Sequence, residues 1–372
     1  MKYIVDKSLS SKVLMAGNYY KHHHPGGISA VVQYWSESIE NLQYYPTWKL
    51  GGWATRAWKL GGWATRAWWF GWSSVRIFSR LLMDRKIKIV HLHFAADGSF
   101  WKKEKLLRMA KMFGKKVVMH CHASRFKDFY SEQSEGRKQH IVDTLNKADV
   151  LIALSESWKE WFVSVGIVPS KIVVLHNITA EPQVRPECKV KDGKVHLLFM
   201  GELGKRKGVF DIIRGLAKHR DEFEGKLEFR IGGNTNEDKL MREIEEGGLQ
   251  NIVKFEGWVA GENKIDLLNW ANLFILPSFN EGLPISILEA MSYKMPIIST
   301  PVGGIPEIVK DGVNGAIVTP GNDEEIFKAI KKYVDDRALL SKQGEESYKV
   351  VQTYLPDYVM NHLKEIYENL LK

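Results

Sequence analysis

Two cysteines in 372 residues, Cys121 and Cys188, are too few for a disulfide framework, and a reducing compartment is the simplest setting for the chain. No stretch approaches the ~20 apolar residues of a membrane span. The first eleven residues, Met1 to Ser11, are polar and mixed in charge, without the apolar core of a secretory leader. A cytoplasmic protein, soluble or peripheral on a membrane, is expected. Disorder is excluded as well, because 44% of the residues are hydrophobic and 26% charged. At this length two domains of ordinary size can each bury a core.

Charge is present but uneven. Residues 1–185 carry 28 Lys+Arg against 14 Asp+Glu, a balance of +14; the remainder is −5, giving +9 overall. A basic first half suits an anionic membrane surface or a phosphorylated substrate, whereas the acidic second half suits neither nucleic acid nor lipid. No nucleic-acid-binding module is recognisable, so no nucleic-acid partner is expected.

Short β-branched runs alternate with helical stretches through both halves. In the first half the predicted strands are 12–16, 87–93, 116–122, 149–153 and 171–175, with a helix over about 28–41. Two prolines, several charges and a glycine between Thr179 and Gly193 read as a linker. Beyond it come predicted strands at 195–200, 227–231, 252–255, 273–276, 296–299 and 316–318. Continuous apolar runs separated by helices are the pattern of doubly covered parallel sheets. The reading is α/β: two Rossmann-like domains, 1–185 and 186–355, facing across a cleft, then a C-terminal helix over 356–372 that packs back on the first domain.

One local oddity is a perfect tandem repeat, Trp48–Ala57 and Trp58–Ala67. Two ten-residue copies cannot make a solenoid. Seven of the 13 tryptophans fall between Trp48 and Trp72, among Lys49, Arg56, Lys59 and Arg66. This is either a duplication accommodated in a surface loop or an interfacial patch, and its Gly-Gly pairs argue against one continuous helix.

The chemistry concentrates at Leu276–Met291, LPSFNEGLPISILEAM. Glu281 falls in a loop after a strand, Pro284 suits a helix start, and Glu289 falls in that helix's second turn. Carboxylates accept hydrogen bonds from sugar hydroxyls, and backbone N–H groups near Gly282 and Leu283 can bind phosphate or sugar oxygens. Lys205-Arg206-Lys207-Gly208 follows another strand and offers cations to a diphosphate. Pro25-Gly26-Gly27 opens the first helix, where glycine lets the backbone approach an anion. His91 and His93 share one strand face, as do His120 and His122; no acidic or cysteine ligand accompanies them at metal spacing, so no metal is expected. His22–His24 reads as a polar loop.

The segment Glu281–Glu289, followed by Pro301–Glu307 and Asp311–Gly315, resembles the E-x7-E motif and glycine-rich loop of glycosyltransferase family 4, near-continuously from about Leu197 to Asn322 and more loosely before. The resemblance implies a GT-B fold and metal-independent transfer, with retention of configuration, of a hexosyl group from a nucleotide diphosphate sugar, the only small molecule required. It implies that Glu289 binds the donor ribose, that Glu281 contacts the transferred sugar, and that the Gly282 and Leu283 amides, with Gly26 and Gly27, hold sugar and diphosphate. Lys207, with Arg206, would take the leaving diphosphate; Glu202 stands where the family has arginine. His122 matches a histidine near the transferred sugar, with Ala123 where glycine is common, and Asn177 matches a family asparagine. The base is expected near Gly257–Ala260. A glycan or lipid-linked glycan acceptor in surface polysaccharide synthesis fits the basic, tryptophan-rich first half. A sugar-nucleotide epimerase of the same fold and a non-catalytic nucleotide-sugar-binding protein are the alternatives.

Overall fold

The computed structural model describes residues 3–19, 27–48, 62–122, 124–182 and 193–372. Two compact units emerge: residues 1–178 together with 356–372, and residues 179–355. The predicted boundary at 185/186 lies outside the described residues.

The first unit is built on a six-stranded parallel sheet in the order β2-β1-β3-β4-β5-β6. Its strands are β1 (Val13–Asn18), β2 (Tyr44–Trp48), β3 (Ile89–Phe94), β4 (Lys116–Cys121), β5 (Val150–Ala153) and β6 (Ile172–Val174). All six residues of β3 are buried, as a central strand covered on both faces requires. Strand β2 has no counterpart among the predicted strands. Tyr44-Tyr-Pro-Thr-Trp48 lacks an apolar run and contains a proline, which a sheet tolerates only at its edge. The strand sits at that edge, paired with β1, with a register shift beside Gly17.

The helix after β1 runs over Gly27–Ser38, ending three residues before the predicted end. From Gly62 onward the second copy of the decapeptide forms the start of a 22-residue helix, Gly62–Met83, rather than a loop; residues 58–61 lie outside the described residues. Gly62 falls at the helix terminus, where the cost of glycine is small. Most of the first copy lies outside the described residues. The closing helix Pro356–Leu371 buries Val359, Met360, Leu363, Ile366 and Tyr367 and belongs to this first unit.

The second unit holds a second six-stranded parallel sheet, ordered β12-β11-β10-β7-β8-β9. Its strands are β7 (Val195–Glu202), β8 (Leu227–Asn234), β9 (Val253–Phe255), β10 (Leu273–Leu276), β11 (Ile297–Ser299) and β12 (Gly315–Ile317). The central strands β7 and β10 pair with each other, so the loops leaving both emerge side by side at the sheet's carboxyl end. That is where a doubly wound sheet reverses its strand order and binds ligands.

Candidate active site

Strand β10 is wholly buried and ends at Leu276, just before Pro277. The chain then turns through 278–284 and enters the helix Ile285–Ser292, with Pro284 at its N-cap in extended conformation. Glu281 lies in the turn and Glu289 in the helix's second turn. Both carboxylates are buried, and a buried carboxylate needs partners.

Glu281 has three. Lys207 Nζ donates to its Oε1 at 2.5 Å, Ser278 Oγ donates to the same oxygen at 2.8 Å, and Arg206 Nη1 stands 3.7 Å away. Lys207 is itself mostly buried, so this is a desolvated ion pair. Such a pair holds both side chains in one geometry, and removing either partner strands the other's charge. Ser278 was not singled out in the sequence; its position two residues past the strand end is the only local signal of its part.

Two glycines make this geometry possible. Lys205–Lys207 form a 3-10 turn closed by Gly208 at φ 73°, and a Cβ there would stand 2.2 Å from the Pro277 carbonyl oxygen. The Phe279 N–H donates to the Arg206 carbonyl at 2.8 Å, tying the two loops together. Gly303, at φ 58°, belongs to the glycine-rich loop, and a Cβ there would lie 2.0 Å from the Glu281 carbonyl oxygen. The Gly304 N–H donates to Gly282 O at 2.7 Å and Thr300 Oγ1 to Ser278 O at 2.5 Å. The glycine-rich loop therefore clamps the backbone that carries Glu281, and Leu283 beyond it is buried.

Arg206 faces two carboxylates. Its Nη2 donates to Glu202 Oε2 at 3.1 Å, so the glutamate standing where the family has arginine pairs with the neighbouring arginine. Glu289 belongs to a second pair: Lys264 Nζ donates to its Oε1 at 2.6 Å. Lys264 sits in the helix Gly261–Trp270, capped by Ala260, the last residue of the expected base-binding segment. In that segment Val259 packs against Gly232 and Trp258 is exposed. Lys264 had no distinguishing signal in the sequence, since its partner lies 25 residues away.

In the first unit the sheet register sets His93 opposite His120 and gathers four histidines on one face. His91 Nδ1 meets Tyr367 Oη at 2.6 Å, His91 Nε2 meets His120 Nδ1 at 3.2 Å, and His93 Nδ1 meets His122 Nε2 at 2.9 Å. The Trp35 ring lies within 5.5 Å of His91, His93 and His120. Burial keeps these imidazoles neutral: His91 is pushed down to about 3, and His93 and His120 fall well below the ordinary histidine range, by burial first and neighbouring histidines second. His91, His93 and His120 each bring one ring nitrogen within 4.8 Å of the others, so among the described residues these three could hold a metal. His93 Nε2 and His120 Nε2 have no hydrogen-bond partner among the described residues.

His122 directly follows β4 and is half-buried. Gly27 opens its helix, while Pro25, Gly26, Ala123 and His22–His24 lie outside the described residues. Asn177 is buried in the extended segment after β6. The structure thus gathers Glu281, Lys207, Arg206, Gly282, Leu283 and Glu289 in the second unit; His122 and Gly27 belong to the first.

Two family models cover most of the chain: that for glycosyl transferases group 1 matches residues 181–350, and that for Glycosyltransferase Family 4 matches 34–179. An uncharacterised glycosyltransferase of Methanocaldococcus jannaschii is 25% identical over 273 residues, 70% of each chain. The alpha-galactosylglucosyldiacylglycerol synthase of Streptococcus pneumoniae is 27% identical over 244 residues, 62% of this chain and 64% of that one. The lipopolysaccharide 1,6-galactosyltransferase of Salmonella typhimurium is 30% identical over 202 residues, 53% of this chain and 55% of that one. The matched stretch spans about half to two thirds of these last two relatives. Among solved structures, Anabaena Alr3699/HepE in complex with UDP aligns with a TM-score of 0.74 at 18% identity, over 97% of this chain and 99% of that one; its complex with UDP-glucose aligns at 0.72. With both halves matched and the fold shared end to end, the chain belongs to the family 4 glycosyltransferases and has the GT-B fold.

Proposed function

We propose that the protein transfers a hexosyl group, with retention of configuration and without a metal, from a uridine diphosphate sugar to a lipid-linked glycan in surface polysaccharide synthesis. The observation that carries this reading is the buried Lys207–Glu281 pair, fixed by Ser278 and by the glycine-rich loop at the carboxyl end of the second sheet. A preorganised cation beside a hydroxyl-binding carboxylate is what departure of a diphosphate from a sugar requires. The UDP and UDP-glucose complexes of the Anabaena protein favour uridine as the base, and the lipopolysaccharide galactosyltransferase favours a glycan acceptor.

In this reading Glu289, steadied by Lys264, accepts hydrogen bonds from the ribose. Glu281 accepts from the hydroxyls of the transferred sugar. As the glycosidic bond breaks, negative charge grows on the diphosphate, and Lys207 turns its charge toward it with Arg206 adding a second cation. The acceptor hydroxyl gives its proton to a phosphate oxygen of the departing group. Gly26, Gly27 and His122 take the roles the family resemblance gives them, at the diphosphate and the transferred sugar.

The experiment is a thermal melt with UDP, GDP, ADP and their sugars. A ligand at a hundred times its Kd stabilises the native state by about 2.7 kcal/mol. A shift with UDP that Glu289→Ala abolishes is the expected result, and turnover should be unchanged after chelation. A new sugar nucleotide formed without acceptor would replace this reading with epimerisation; bound UDP-sugar with no turnover on any acceptor would replace it with binding alone.

A further inference from the structure

The Gly62–Met83 helix is apolar on both sides. Its inner side carries Ser73, whose Oγ donates to the Pro46 carbonyl at 2.9 Å, and the buried Ile77 and Leu81. Its outer side carries Trp68, Trp72, Val75 and Leu82, which are 54–65% exposed. At about 100° per residue these four fall within an arc of about 80°. Phe78 and Met83, also exposed, flank the arc, and the Phe113 ring packs edge-on against Phe78 at 5.3 Å, beside the exposed Met112. A solvent-facing helix side ordinarily carries charged residues, and a contiguous apolar patch of this kind marks a docking surface.

The charges around the patch identify what docks. The helix contains arginines and no acidic residue. Arg76 is exposed on the edge of the arc, and Arg85 and Lys86 are exposed just beyond the helix end. Such a face is not complementary to itself, because a second copy would oppose arginine to arginine. Tryptophan and leucine bordered by cations match a bilayer's acyl boundary and its anionic phosphates. Among the described residues no helix is long and apolar enough to cross a membrane, so the contact is one of lying on the surface.

We propose that this face seats the first unit on an anionic lipid bilayer, with Trp68, Trp72, Val75 and Leu82 inserted at the headgroup level and Arg76, Arg85 and Lys86 against lipid phosphates. The proposal rests on the reading of a lipid-linked acceptor and names the surface that brings the enzyme to it.

The test is co-sedimentation of the full chain with vesicles of phosphatidylglycerol and phosphatidylcholine in equal parts, and of phosphatidylcholine alone. The wild type is expected to pellet with the anionic vesicles, to be released by added salt, and to show blue-shifted tryptophan emission when bound. Trp72→Ser/Leu82→Ser should weaken partitioning at least about tenfold while keeping the melting temperature and the UDP-induced shift. The proposal is overturned if the wild type stays in the supernatant with anionic vesicles at low salt, if the double variant pellets as the wild type does, or if the patch instead drives dimerisation that the double variant abolishes. Vesicle binding involves no acceptor, so equal turnover on water-soluble and lipid-linked glycans would remove the acceptor reading and leave this result standing.

Discussion

Glu281 is asked to do two things: to be the buried partner of Lys207 and to accept hydrogen bonds from a sugar. Glu281→Gln keeps the shape and the contact with Ser278 but removes the charge, so turnover should fall at least about 100-fold, and the melting temperature should drop as well because the buried Lys207 loses its counter-charge. Near-normal turnover in the purified variant would remove Glu281 from the mechanism. Lys207→Ala should cost as much in rate and more in stability, because it leaves Glu281 buried with only Arg206, 3.7 Å away, to offset its charge. In the first unit the histidine cluster sets a pH dependence. Its members titrate near 6.5 in the unfolded chain but stay neutral in the fold down to about 3 for His91. Between these values the unfolded state binds the extra proton, so stability is full above about pH 6.5 and falls as the pH drops toward 3. The slope is about 1.4 kcal/mol per pH unit for each buried histidine. Melting temperature followed against pH should show this fall, and His120→Asn should flatten it by roughly one histidine's share.

Loops do at the level of elements what ion pairs do at the level of residues. The Gly303 loop and the Gly208 turn press from two sides on the segment that carries Glu281. Gly303→Ala would place a methyl group against the Glu281 carbonyl in a left-handed backbone. It should cost about 1–3 kcal/mol in stability and weaken UDP binding measured by calorimetry. Gly71→Ala makes the contrast: it sits mid-helix with nothing within 4 Å and should stabilise the protein by about 0.5–1 kcal/mol. These elements differ in how far the sequence disclosed them. The buried strands of both sheets were legible because each is a short apolar run between helices, and so were the loop position of Glu281 and the helical one of Glu289. Strand β2 was not, since an edge strand with a proline and no apolar run looks like loop. Nor were Ser278, Lys264 or Tyr367 legible as partners. Tyr367 lies 276 residues from His91, and no local pattern announces a contact made by the fold as a whole.

The whole molecule divides into two units, and the division does not follow the order of the chain. The first unit takes its closing helix from residues 356–372, after the second unit has been completed. Val359, Met360, Leu363, Ile366 and Tyr367 are buried there, each contributing about 1.5–3 kcal/mol, a sum comparable to the entire stability of an ordinary domain. A chain ending at Leu355 should therefore show one cooperative calorimetric transition, that of the second unit, where the full chain shows the first unit folded as well. The same arrangement has a consequence for biosynthesis. When residue 178 leaves the ribosome, the first unit lacks a wall of its core, and about 180 further residues must be made before that wall arrives. At roughly 5–20 residues per second the interval is on the order of ten to forty seconds. Throughout it the nascent chain exposes the apolar floor on which the closing helix will lie, while the second unit, contiguous in sequence, is complete once residue 355 has been made. A nonsense mutation near codon 356 would thus spare the domain being finished and disable the one whose codons up to residue 178 were read intact.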